Sequence, residues 1–105
     1  MTEEQRSEQR LPVRFEVKLS AGQEREGTLV DISRRGARVS ARGARLRPET
    51  EVRLLVQRRM GGEIAINGRV RWSNADSFAV TFSELDVAAQ RWLDSILEED
   101  GTAVR

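Results

Sequence analysis

From Leu11 onward the chain alternates apolar and polar residues, with Val13, Phe15, Val17 and Leu19 separated by Arg14, Glu16 and Lys18. Successive strand side chains point to opposite faces, so this period of two predicts a half-buried strand of an antiparallel sheet. Ala21-Gly22-Gln23 breaks the pattern with a turn. A second strand is predicted across Glu26 to Ser33, and a third across Ala37 to Ala41 with Ala37, Val39 and Ala41 sharing a face. Arg42 to Glu51 contains Gly43 and Pro48 and reads as a loop. Val52, Leu54 and Val56 mark a fourth strand, and Met60-Gly61-Gly62 a hairpin turn. The fifth strand puts Ile64, Ile66, Gly68, Val70 and Trp72 on one side and Asn67, Arg69 and Arg71 on the other. Gly68 in mid-strand suggests a bulge or sharp bend. Phe78, Val80 and Phe82 line a sixth strand.

The period then changes. Leu85, Ala88, Ala89, Trp92, Leu93, Ile96 and Leu97 recur at helical spacing, which predicts an amphipathic helix from Leu85 to about Glu99, capped by Ser83 or Asp86. Six short strands and one closing helix make a mainly β protein, a small antiparallel barrel or sandwich whose open end or face the helix covers. Ahead of it, Met1 to Gln9 hold no apolar residue after the initiator. The expected organisation is a flexible arm over residues 1–10, the barrel and helix over 11–100, and a disordered tail over 101–105.

At 105 residues the chain suits one domain with a core of its own. It has no cysteine and no histidine. That removes disulfides, thiolate sites, the commonest general base and every His-dependent triad, so an enzyme and a metal cofactor are poor fits. Lysine plus arginine number 18 against 17 acids, a balance that disfavours a bulk nucleic-acid binder. Lys18 is the sole lysine, however. Arginine's planar fork suits phosphates and the O6/N7 edge of guanine, although a GC-rich genome accounts for the bias equally well. No window resembles a membrane-spanning helix and the N-terminus has no signal pattern, so a soluble, cytoplasmic protein is expected.

One stretch carries candidate chemistry. Across Asp31-Ile32-Ser33-Arg34-Arg35-Gly36, alternation sends Val30 and Ile32 inward and leaves Asp31 and Ser33 together on the outer face. Gly36 adds a position that accepts positive φ or the close approach of another group. Twenty-odd residues upstream stand Arg6 and Arg10, four apart.

These residues resemble the PilZ domain. Its two signatures, RxxxR and (D/N)xSxxG, match Arg6-x-x-x-Arg10 just before the first strand and Asp31-x-Ser33-x-x-Gly36 at the turn from the second to the third. Arg10 and Arg14 also make an RxxxR, but Arg14 lies inside the strand. The likeness continues through Val70-Arg71-Trp72, Phe78 to Phe82 and the helix. The resemblance implies a six-stranded antiparallel β-barrel with a C-terminal helix that binds cyclic di-GMP, a bacterial second messenger. By that likeness Arg6 and Arg10 meet phosphate or guanine, Asp31 accepts from the guanine N1–H and amino group, Ser33 bonds ligand or loop, and Gly36 lets backbone come close. Arg34, Arg35 and Arg38 add positive field nearby. Trp72's position serves the ligand face in some members, while its parity with Val70 and Ile66 equally allows core packing.

The expected role is a non-catalytic receptor that passes the messenger's level to an unidentified protein partner as its arm orders. Two alternatives stand beside it. One is a PilZ-like interaction module that does not bind the nucleotide. The other is an OB- or SH3-like barrel whose arginines from Arg34 to Arg47 contact nucleic acid. Against the second, the two tryptophans and three phenylalanines leave few exposed rings for stacking.

Overall fold

The computed structural model describes residues 10–58 and 60–104, with residues 99–104 given by their backbone alone. The alternating stretches form six strands, β1 (Leu11–Ser20), β2 (Glu24–Ile32), β3 (Gly36–Ser40), β4 (Glu51–Gln57), β5 (Glu63–Ser73) and β6 (Ser77–Phe82), followed by helix α1 (Val87–Val104). All pair antiparallel in the closed order β1-β2-β3-β6-β5-β4, with β4 returning to β1 through Val17–Val56 and Leu19–Leu54. Closure is what half-buried strands of this number achieve when no edge is left open to pair with another chain.

Inward residues of every strand meet in one core, with Leu19, Leu29, Val39, Leu54, Ile66, Val70 and Phe78 at most 1% exposed. α1 covers this core with Ala89, Trp92 and Leu93, and the Trp92 ring stands edge-on to Phe15 at 5.4 Å between centroids. The β3–β4 loop adds buried Ala44, fixed where Ser73 Oγ donates to its carbonyl at 3.0 Å. No described helix is long and apolar enough to cross a membrane.

Three details depart from the alternation. Between β2 and β3 the register slips, so that Leu29 faces Val39 while Asp31 faces Arg38. Val30 is the extra residue of that bulge and is only half-buried, leaving Leu29 and Ile32 as the inward pair. Between β5 and β6 the six residues Gly68–Ser73 lie opposite the five residues Phe78–Phe82, with Arg71 unpaired. This bulge turns Trp72 out of the core and leaves it 43% exposed. The bulge expected at Gly68 is not there: Gly68 pairs with Phe82, and a Cβ on it would lie 2.8 Å from the Thr81 carbonyl oxygen. A close backbone approach, and not a bend, is what that glycine serves.

The helix starts two residues later than its apolar spacing suggests. Asp86 is the cap, its Oδ1 accepting from Ala89 N at 2.8 Å, an arrangement worth about 1 kcal/mol. Leu85 packs against the core from outside the helix. At the other end α1 runs on through Gly101 to Val104, where a disordered tail was expected. A single glycine costs a helix about 1 kcal/mol without stopping it, and no proline follows.

Candidate functional site

Asp31 reaches the outer face one residue before β2 ends, and two arginines meet its carboxylate there. Arg38 NH2 lies 3.2 Å from Oδ2, brought there because Arg38 pairs with Asp31 across the β2–β3 ladder. Arg10 NH2 lies 3.5 Å from Oδ1, placed there because Arg10 precedes β1, whose Pro12 pairs with Asp31. Both guanidiniums are nearly half exposed, while the Asp31 side chain is 13% exposed. Oδ1 itself is buried and has no hydrogen-bond partner among the described residues. A carboxylate oxygen facing an arginine at ion-pair distance without a formed hydrogen bond retains capacity for a donor.

Ser33 behaves differently from its expected outward placement. It is 1% exposed, and its Oγ accepts from Gly36 N at 3.3 Å and Arg35 N at 3.4 Å while reaching the Gly36 carbonyl at 3.3 Å. β2 ends at Ile32, so Ser33 is the first residue of the turn, and its short hydroxyl folds back on the backbone as serine does in such turns. Ser33 N donates to Gly36 O at 2.8 Å, and Phe82 N donates to Arg35 O at 2.8 Å, which ties the turn to the end of β6. Gly36 has no positive φ; a Cβ there would collide with the Val80 carbonyl oxygen. Its role is to let β6 lie close beneath the turn.

A cavity of about 330 Å³ opens beside this turn. Arg10, Ser33, Arg35 and Gly36 form one side, Arg71 and Trp72 of β5 the other, and residues 79–81 of β6 the floor. The volume lies at the small end of ligand sites, which run from roughly 300 to 1,000 Å³. Asp31 does not line the cavity, but Arg10, which faces its Oδ1, does; Arg38 faces its Oδ2. Arg34 points away: its NH1 donates to Asp94 Oδ1 of α1 at 3.0 Å. The Arg34 guanidinium, with Gln90 Nε2 donating to the same oxygen, holds the Asp94 carboxyl below its ordinary value. A lowered carboxyl keeps this tie through the neutral range and loses it only as pH falls through the lowered value. Arg6 lies outside the described residues.

Arg71 and Thr81 escaped the sequence. Strict alternation put Arg71 on the opposite face from Trp72, and the bulge that unites them carries no glycine or proline to announce it.

The sequence profile described as PilZ domain matches residues 4–99 of the chain. A search of curated proteins gives no match. Among solved structures, the Bacillus subtilis inhibitor of motility (MotI/DgrA) superposes with a TM-score of 0.73 at 18% identity, over 91% of this chain and 51% of that one. The chain thus spans about half of that structure. The PilZ domain of CeSA from a cellulose-synthesizing bacterium superposes with a TM-score of 0.70 at 17% identity, covering 84% of this chain and 93% of that one. At such identities these likenesses bear on the fold.

Proposed function

Because the chain belongs to the PilZ domain family, we propose that it is a non-catalytic cyclic di-GMP receptor that relays the messenger's level to a protein partner. One observation carries this reading: the turn bearing Ser33, Arg35 and Gly36 shares a concave site with Arg10 and an exposed tryptophan, next to a carboxylate with an unused oxygen. Those are the groups a dianionic, two-guanine ligand calls for. Guanidinium forks match phosphate or the O6/N7 edge, a carboxylate matches the N1–H and amino donors, and an indole face takes a flat base.

The Arg10–Asp31 pair suggests the sequence of events. Arg10 leans on Asp31 Oδ1 at 3.5 Å. An arriving phosphate offers Arg10 a stronger partner, because charge-assisted pairs with phosphate are frequently bidentate. Arg10 then swings off the carboxylate, Asp31 accepts from a guanine, and the arm with Arg6 is drawn across the barrel. The new arm position alters the surface a partner meets. A structural neighbour described as an inhibitor of motility supports such an adaptor role.

Titration calorimetry of the intact chain with cyclic di-GMP tests the receptor reading. Saturable binding is expected, weakened about tenfold or more in Arg10→Ala through loss of a charge-assisted pair. Failure of the intact chain to bind leaves the interaction module without nucleotide as the reading. The relay is tested separately: amide exchange over residues 1–10 is expected to slow when ligand is added, and unchanged exchange rules out arm ordering as the output.

A further inference from the structure

Arg71 has no task in that reading, yet it lines the same cavity as Arg10 and Trp72. It also borders a larger neighbouring cavity of about 740 Å³ between Arg69 and Ser83. Consecutive strand residues ordinarily diverge to opposite faces. Here the β5 bulge turns Arg71 and Trp72 to the same face. Arg71 NH1 donates to Thr81 Oγ1 at 3.3 Å, which steadies the guanidinium against β6.

Its electrostatic situation differs from that of its neighbours. Arg10 and Arg38 share Asp31, Arg34 holds Asp94, and Arg69 lies 3.9 Å from both Glu49 and Glu51. Arg71 has no carboxylate within 4.0 Å among the described residues. An un-neutralised fork fixed beside an exposed indole is a platform with a reader at its edge. A purine lying on Trp72 presents its rim to Arg71. Guanine offers two adjacent acceptors there, O6 and N7, which a guanidinium takes together; adenine replaces O6 with an amino donor that the fork repels.

We propose that Arg71, beside Trp72, reads the second guanine of a cyclic dinucleotide and so sets the preference of this site for cyclic di-GMP over mixed cyclic GMP–AMP. The inference rests on the receptor reading of the same cavity and adds a base identity to it. The first guanine belongs to Asp31, with Arg10 on a phosphate. The mixed dinucleotide satisfies that half with its guanine and places adenine against Arg71.

The test is calorimetry of the intact chain, Arg71→Ala and Arg71→Lys with cyclic di-GMP and with cyclic GMP–AMP. Arg71 is exposed, so the variants should fold, and their thermal midpoints check this. The intact chain is expected to favour cyclic di-GMP by about tenfold or more, the range of one bidentate arginine–guanine pair. Arg71→Ala brings that ratio close to one by losing affinity for cyclic di-GMP alone. Arg71→Lys retains the charge without the fork and does not restore the ratio. Equal weakening towards both ligands assigns Arg71 to a phosphate and overturns the base reading. An unchanged ratio in Arg71→Ala overturns it as well. If the intact chain binds neither dinucleotide, the receptor reading itself falls and takes this inference with it.

Discussion

Gly36→Ala is expected to lower the thermal midpoint of unfolding by more than about 10 °C. The added Cβ would collide with the Val80 carbonyl oxygen, a backbone atom that no side-chain rotation can move aside. The surroundings leave little room for retreat. Gly36 pairs with Thr81 across the β3–β6 ladder, Ser33 N donates to Gly36 O, and Phe82 N donates to Arg35 O. Relief therefore means parting two strands of a closed barrel at the turn where both of these hydrogen bonds and the Ser33 hydroxyl converge. Overpacking a well-filled site costs typically about 1–3 kcal/mol, and an immovable neighbour puts this case at the upper end. For a domain of this size each kcal/mol shifts the midpoint by roughly 4–8 °C. Differential scanning calorimetry decides it: a midpoint within about 3 °C of the parent would show that β6 yields easily and that the close packing of the turn is not a constraint.

The same turn marks where sequence reasoning ends. The six strands and the helix were legible because alternation along β1, β4 and β5 and the later helical period are written in the apolar positions themselves. The pairing of Asp31, Ser33 and Gly36 with Arg10 was legible only through the two short motifs that carry the family likeness. What each residue does in the turn was not. Parity assumes an unbroken ladder, and two of its three register shifts change which face a side chain takes, one at Val30 and one at Arg71. The first shifts the inward pair on β2. The second turns Trp72 outward and sets Arg71 beside it, which no residue type in Val70-Arg71-Trp72 foretells. Ser33 was read as outward because it follows Asp31 by two positions, yet the strand has already ended and its hydroxyl serves the backbone. Arg34 looked like one more cation near the ligand. Its partner, Asp94, is sixty residues away on α1, a distance that spacing rules do not cross.

That Arg34–Asp94 tie also gives the site a mechanical connection to the helix. The donor sits between Ser33 and Arg35, so the turn is bonded directly to α1. An exposed pair of this kind is screened by solvent and adds little to stability. It can bias the seating of the helix without holding it, since Trp92, Leu93 and Ala89 supply the buried contact.

Asp31→Ala is expected to raise the dissociation constant for cyclic di-GMP by at least about 100-fold while lowering the unfolding midpoint by at most roughly 4–8 °C. The two effects separate because of what surrounds the carboxylate. Arg10 and Arg38, its partners, are 46% and 47% exposed, and once released they are hydrated by solvent. The loss to stability is therefore within about 1 kcal/mol. The loss to binding is larger because a guanine edge that finds no acceptor leaves two donors buried and unpaired. Hydrogen bonds to a charged group contribute about 1.5–3 kcal/mol each, so two of them exceed two orders of magnitude in affinity. The alternative is that Asp31 acts only by aiming Arg10, since it pairs with that residue and does not itself line the cavity. A double-mutant cycle distinguishes the two. If Asp31 touches the guanine itself, the Arg10→Ala/Asp31→Ala pair loses more than either single variant. If it merely orients Arg10, removing Asp31 from a chain already lacking Arg10 changes nothing, and the guanine-reading role is lost.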